Sequence, residues 1–230
     1  MTTQRRVKGP RPQIVGVITS LADLRFAARM QQPPDLFELR LDFLCTALGQ
    51  LERKISLLKT PKIFTSRDPR EGGANNLSLD ERRELLSRFL PHAKYIDVEL
   101  RSARAFKPLL TQARKRNVSV ILSFHDFSST PSSRSLRARA ALAKKRGADV
   151  FKIATRTDKP SDLARLIDLM TNNDTDLPLS AMGLGKLGGV SRLLLATCGS
   201  VLNYGSLSKS QIEGQLPIDV LRSTVRPAPR

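Results

Sequence analysis

Phe37-Glu38-Leu39-Arg40-Leu41-Asp42 sets a charge at every second position and an apolar side chain between. Period two is the mark of a β-strand whose two faces meet different surroundings. Ile96-Asp97-Val98-Glu99-Leu100 repeats the pattern. Elsewhere it is looser: Thr65 and Arg67 oppose Phe64, Ser123 and His125 oppose Leu122 and Phe124, and Lys152 opposes Phe151 and Ile153. Working outward, strands are predicted over 13–19, 36–42, 62–67, 95–100, 119–125, 150–155, 177–182 and 200–205. Helical patterns lie between them, over 21–31, 48–58, 79–90, 102–117, 133–145, 160–171 and 190–196, with a last one near 217–223. Ser78 stands where an N-cap is wanted and Gly147 where a helix should end. Eight strand–helix units fit a (β/α)8 barrel, but a doubly wound open sheet alternates in the same way. Parity decides between them. An open parallel sheet is covered on both faces, so its strands read as nearly unbroken apolar runs. One oily face and one ionisable face instead require a polar interior in which charges pair or surround a ligand. The expectation is an α/β fold: a single-domain TIM barrel over 13–225, with basic tails at 1–12 and 226–230.

Composition narrows the function classes. Of 230 residues, 40% are apolar and 26% charged, as in a folded globular protein. Cys45 and Cys198 are too few for a disulfide framework or a four-cysteine zinc site, and they suit a reducing, cytoplasmic compartment. No apolar run approaches the ~18 residues of a membrane span, and 1–12 lacks the apolar core of a secretory signal. The 39 Lys and Arg against 21 Asp and Glu give a net charge of +18. Such an excess attracts anions of any size. However, the chain has no Trp, only two Tyr and nine Phe, and none interleaves with the basic clusters, so nucleic acid is not expected as a partner.

Lys152 and His125 are the main candidates for chemistry. A lysine in the apolar segment Val150-Phe151-Lys152-Ile153 should face the interior. There desolvation and cations such as Arg40, Arg67 and Arg192 disfavour its ammonium form, leaving an amine able to form a Schiff base with a carbonyl. An interior lysine paired to Glu38, Asp97 or Glu99 is the equal alternative from residues alone. His125 ends the preceding strand on the same face, where it could move protons beside an imine. His92, the other histidine, falls in a connection at the opposite end of the barrel. In Thr65-Ser66-Arg67-Asp68-Pro69-Arg70-Glu71-Gly72-Gly73, Arg67 should supply a planar donor. Glu71 could hold the second nitrogen of His125, fixing its tautomer and favouring its cation. Gly183-Leu184-Gly185-Lys186-Leu187-Gly188 matches a dinucleotide fingerprint but follows the seventh strand, with no acid for a ribose about 20 residues on. It reads better as a tight loop into Ser191-Arg192, where helix-start amides and Arg192 could hold an anion.

Together these segments resemble a known family. Glu38-Leu39-Arg40-Leu41-Asp42, Thr65 to Gly73, Ser123-Phe124-His125-Asp126-Phe127 with Thr130-Pro131, Phe151-Lys152-Ile153-Ala154, Met182-Gly183 through Ser191-Arg192, and Gly214-Gln215 follow one another as in type I 3-dehydroquinate dehydratase. The resemblance implies that Lys152 forms a Schiff base with the ketone of 3-dehydroquinate and His125 moves the protons, supported by Glu71. It implies that Glu38, Arg40 and Arg67 bind ring hydroxyls while Arg192 and Gln215 hold the carboxylate. It further implies that no metal or cofactor is needed, and that the enzyme is a homodimer of the shikimate pathway. One segment departs from the pattern: Gln211-Ile212-Glu213 replaces a small Ser-Ala-Pro stretch. Gln211 then stands where a serine often meets the substrate, and Glu213 places an acid near an anion unless it turns outward.

Overall fold

The computed structural model describes residues 12–208 and 212–225, so the tails expected at 1–12 and 226–230, Pro12 aside, and Gln211 lie outside the described residues. In chain order the elements are β1 (Gln13–Ile18), α1 (Leu21–Ala27), β2 (Leu36–Arg40), α2 (Leu41–Leu44), α3 (Leu48–Ile55), β3 (Lys62–Thr65), α4 (Leu79–Phe89), β4 (Tyr95–Glu99), α5 (Lys107–Lys115), β5 (Ser119–Asp126), α6 (Ser133–Lys145), β6 (Val150–Arg156), α7 (Pro160–Thr171), β7 (Leu179–Leu184), α8 (Gly188–Thr197), β8 (Leu202–Ser206) and α9 (Ile218–Val225). The strands form one parallel sheet in the order β7-β6-β5-β4-β3-β2-β1-β8. The β7–β8 seam is bridged by Val201 N–H to the Leu179 carbonyl at 2.9 Å and Ser180 Oγ to the Leu202 carbonyl at 2.6 Å. This is a nearly closed TIM barrel.

Parity in the strands sorts the core into two regions. Outward side chains such as Phe37, Leu39, Phe64, Ile96, Val98, Leu122, Phe151 and Ile153 pack with the helices in the larger cluster. Inward side chains near the strand starts, Val15, Leu36, Ile63, Ile121, Val150 and Leu202, fill the lower barrel. Above that floor the same inward faces turn polar: Glu38, Asp97, Ser123 and Lys152 are all buried. The apolar floor anchors the strands, and the polar layer sits at the C-terminal end, where barrels of this kind carry their sites.

Local signals set most boundaries. Ser78 caps α4 in a reciprocal box with Glu81, and Gly147 (φ 81°) ends α6. Of the boundaries that differ from the sequence expectation, three have a plain local cause. Strand β2 stops at Arg40, and Asp42 comes off α2, where it accepts from both Arg40 Nε (2.9 Å) and Arg40 Nη2 (2.7 Å). Asp42 also accepts the Ala74 N–H at 3.0 Å, so it braces the β3–α4 loop and is not an inward strand residue. Helix α5 starts at Lys107 instead of 102 because Pro108 is tolerated only in a first turn; a longer helix would drive its ring into the preceding turn. Strand β7 begins at Leu179 because Pro178 has no N–H for the ladder and offers only its carbonyl, to Phe151 N–H at 2.9 Å.

Candidate active site

A cavity of about 250 Å³ opens at the C-terminal end of the barrel. It gathers Glu38, Arg40, Arg67, Glu71, His125, Lys152, Arg192 and Gln215, all the expected site residues among those described, with Phe43 and Phe127 at its rim. His92 is exposed in the turn before β4, outside this cavity.

Lys152 faces inward from β6 and is 4% exposed. Its Nζ donates to Glu38 Oε1 at 3.1 Å and Asp97 Oδ2 at 3.0 Å, and it lies 3.9 Å from the centroid of the Tyr204 ring. The nearest groups are therefore carboxylates and a π face, not the arginines expected to crowd it. The inward-lysine and ion-paired readings both describe the same residue. Burial alone would raise the Asp97 pKa, but Arg67 and Lys152 beside it prevail and hold this carboxyl well below the usual range.

Register places His125 against Ala154, one inward position above the Ser123–Lys152 pair. Glu71 Oε2 accepts the His125 backbone N–H at 2.9 Å and lies 3.1 Å from Nδ1. An oxygen already serving as acceptor assigns the ring proton to Nδ1 and leaves the Nε2 lone pair for chemistry. Glu71 beside the ring does not by itself make the resting imidazole a cation. Burial, with Arg67 and Lys152 adding positive potential, holds the His125 pKa well below 6.5, so the ring is a neutral base. Burial also pushes Glu71 up to about 7, with Glu99 adding to the rise and Arg67 opposing it.

Arg67 is less available than its side-chain type suggested. Its Nη1 donates to Glu99 (3.0 Å) and Ser123 (2.6 Å), and its Nη2 to Asp97 (2.8 Å). Arg82, on the buried face of α4, continues the network to Glu99 (2.7 Å) and Asp68 (3.1 Å). This alternating chain of charges holds Asp97, and through it Lys152, in one geometry. Arg40 is likewise braced by Asp42 and by the Gly72 carbonyl at 3.1 Å.

Arg192 is different. It is buried, donates to the carbonyls of Gly214 (3.1 Å) and Tyr204 (2.9 Å), and has no carboxylate partner among the described residues. Burial lowers its pKa to about 10, which leaves it charged at neutral pH. A buried cation without a counter-ion at a cavity wall is a place for an anion. The amides at the start of α8 do not line this cavity, contrary to expectation: Gly188 packs against Gly214 and its N–H donates to the Gly185 carbonyl at 2.9 Å. Glu213 turns outward, 59% exposed, and pairs with Arg156 at 3.1 Å.

Sequence reasoning missed three contributors. Arg82 stands at helical spacing with Leu85, Leu86 and Phe89, the signal of a buried face. Tyr204 and Ser206 share the inward parity of β8, and both line the cavity. Their buried hydroxyls make no hydrogen bond among the described residues.

The geometry can be set beside known proteins. A family model described as Type I 3-dehydroquinase matches residues 17–227. The 3-dehydroquinate dehydratase of Shouchella clausii is 35% identical over 206 residues, covering 84% of this chain and 80% of that protein. The crystal structure of 3-dehydroquinate dehydratase from Geobacillus kaustophilus superposes with a TM-score of 0.84 at 27% identity, over 93% of this chain and 90% of that one. The type I enzyme from Clostridium difficile, solved with covalently modified comenic acid, gives 0.84 at 26% over 94% and 92%. Because the likeness in sequence and in backbone spans the whole barrel that builds the cavity, the chain belongs to the type I 3-dehydroquinase family.

Proposed function

We propose that the chain, a type I 3-dehydroquinate dehydratase of the shikimate pathway, works through a Schiff base on Lys152. The observation that carries this reading is one cavity holding an inward lysine, a neutral histidine whose Nδ1 faces Glu71, and an Arg192 cation with no carboxylate partner among the described residues. Arg192, with Gln215, holds the substrate carboxylate, which places the ketone over Lys152. The amine, once it has given up its extra proton, attacks the carbonyl carbon, and loss of water leaves an iminium. His125 Nε2 takes a proton from the adjacent carbon, and the electron pair enters the C=N⁺ system to give an enamine. The enamine pushes out the β-hydroxyl, which leaves as water with the proton carried by His125. Hydrolysis of the remaining imine frees Lys152 and 3-dehydroshikimate. Glu71 supports the histidine by fixing its tautomer and balancing the transient imidazolium. Glu38, Arg40 and Arg67 meet the ring hydroxyls, Arg67 with the donor capacity its ion pairs leave over.

Borohydride added with 3-dehydroquinate should reduce the imine and fix an adduct on the Lys152 peptide, read by mass spectrometry, while Lys152→Ala should lose turnover. Folded protein with dehydratase activity but no adduct at Lys152 overturns the Schiff base. The proposal extends to a homodimer in the cytoplasm, with a small molecule rather than nucleic acid as its partner. Cys45 and Cys198 are both free thiols, as a reducing compartment requires. Among the described residues no helix is long and apolar enough to cross a membrane. A monomeric mass by light scattering at micromolar concentration would remove the dimer from the proposal.

A further inference from the structure

Tyr204 occupies an unusual place in the barrel. It points inward from β8, is 3% exposed, and presents its ring face to Lys152 Nζ at 3.9 Å from the centroid. Its hydroxyl makes no hydrogen bond with any described residue, so the ring and not the oxygen makes its polar contact. Its backbone carbonyl accepts from Arg192 at 2.9 Å, so the same residue touches both the lysine and the Arg192 cation. The Lys152 nitrogen is thus held by three groups: Glu38, Asp97 and the Tyr204 face.

These three do not respond alike to covalent chemistry. An ammonium has three N–H groups and can serve both carboxylates at once. A lysine iminium keeps one N–H, so it can satisfy only one of them. Attraction to a π face depends on positive charge and proximity and uses no particular N–H. The ring is therefore the one support that can persist unchanged from resting ammonium to cationic intermediate. Its surroundings favour a strong contact, because the site is desolvated and cation–π attraction grows as water is removed.

On the Schiff-base reading above, we propose that Tyr204 is a positioning residue whose π face holds the Lys152 nitrogen through the cationic intermediates of the reaction. The role is electrostatic, so it depends on the electron density of the ring rather than on its volume or its hydroxyl. Tyr204→Phe keeps the face and should retain kcat within about twofold. Tyr204→Leu removes the face and should lower kcat about tenfold or more with little change in KM, since the loss falls on the intermediate.

The decisive experiment replaces Tyr204 by phenylalanine bearing none, one, two or three ring fluorines. Fluorination drains the π face at nearly constant shape, so log kcat should fall stepwise across the series while the melting temperature stays level. Borohydride trapping at Lys152, run on wild type alongside, separates the two ideas. Absence of any wild-type adduct overturns the Schiff base itself. Normal trapping with a flat fluorine series, or a Tyr204→Phe loss as large as that of Tyr204→Leu, overturns the role of the ring alone.

Discussion

Replacing Glu71 by glutamine should stabilise the protein at alkaline pH while impairing it as a catalyst. The Glu71 carboxyl titrates at about 7 in the fold against an ordinary value of 4.5, chiefly because it is buried, with Glu99 adding negative potential. A folded-state pKa above the unfolded one means that the native state binds the proton more tightly. The resulting stability is fully present below pH 4.5 and is lost as pH rises through about 7. At about 1.4 kcal/mol for each pH unit between the two values, the whole effect is about 3 kcal/mol, and about 2.5 kcal/mol of it falls between pH ~5 and pH ~8.5. Glu71→Gln has no proton to lose and keeps an amide oxygen for the His125 backbone N–H. Urea unfolding of both proteins at the two pH values brings out the term, because titrating groups away from Glu71 contribute equally to each. The variant should gain about 2.5 kcal/mol on wild type between the acidic and alkaline conditions, or about 5–10 °C in relative melting temperature. Its kcat should meanwhile fall by about tenfold or more, because the imidazolium formed at His125 loses its counter-charge. Parallel stability profiles for the two proteins would refute the assignment of a buried, proton-binding carboxyl.

His125 should titrate below the ordinary 6.5, with its neutral form protonated at Nδ1, as read from its ¹⁵N ring shifts; a midpoint at or above 6.5 would contradict its burial beside Arg67 and Lys152. Arg82→Met should cost about 3–5 kcal/mol in urea unfolding, because Glu99 and Asp68 lose a buried partner, and adding Glu99→Gln should recover at least about 1 kcal/mol of it. An effect below about 1 kcal/mol for the single variant would mean that the network does not hold the barrel. Glu213→Ala should leave KM within about twofold and stability within about 0.5 kcal/mol, since its pair with Arg156 is solvent-exposed; a large fall in KM would show that the acid does repel substrate.

The barrel was legible because a single property, alternation within strands, separates it from its only competitor. Glu38 against Leu39, or Lys152 against Phe151, needs no distant contact to interpret. The site residues were legible for a related reason: parity fixes which face a side chain takes, and all strands of a barrel share one interior. What parity does not carry is the identity of the partner. Lys152 lies 55 residues from Asp97 and 114 from Glu38, and nothing local says that these, rather than Arg40 or Arg192, come within hydrogen-bonding distance. The resting charge state of His125 was not legible for the same reason. Glu71 was visible as a neighbour, but the depth of burial and the positions of two cations were not, and they set the outcome. Boundaries at Pro108 and Pro178 were readable in principle, since each proline removes a donor at a known place.

The segment Ile212-Glu213-Gly214 illustrates how backbone can carry what side chains do not. Arg192 Nε donates to the Gly214 carbonyl, and Gly185 N–H donates to the Glu213 carbonyl at 3.1 Å. Neither contact depends on the side chain at 213. Gly214 has φ 81° and lies so close to Gly188 that a Cβ would stand 2.6 Å from the Gly188 Cα, so this position demands glycine on both conformational and steric grounds. On the other side of the segment, Ser208 Oγ donates to Asp23 at 2.8 Å, and Asp23 is itself braced by Ser20 and Thr19. Two of these contacts use the main-chain carbonyls of 213 and 214 and the third uses Ser208, so the side chain at 213 can change without moving Arg192 or Gln215. An exposed glutamate at 213, turned to Arg156, then carries its charge on the surface and leaves Arg192 without a carboxylate partner among the described residues.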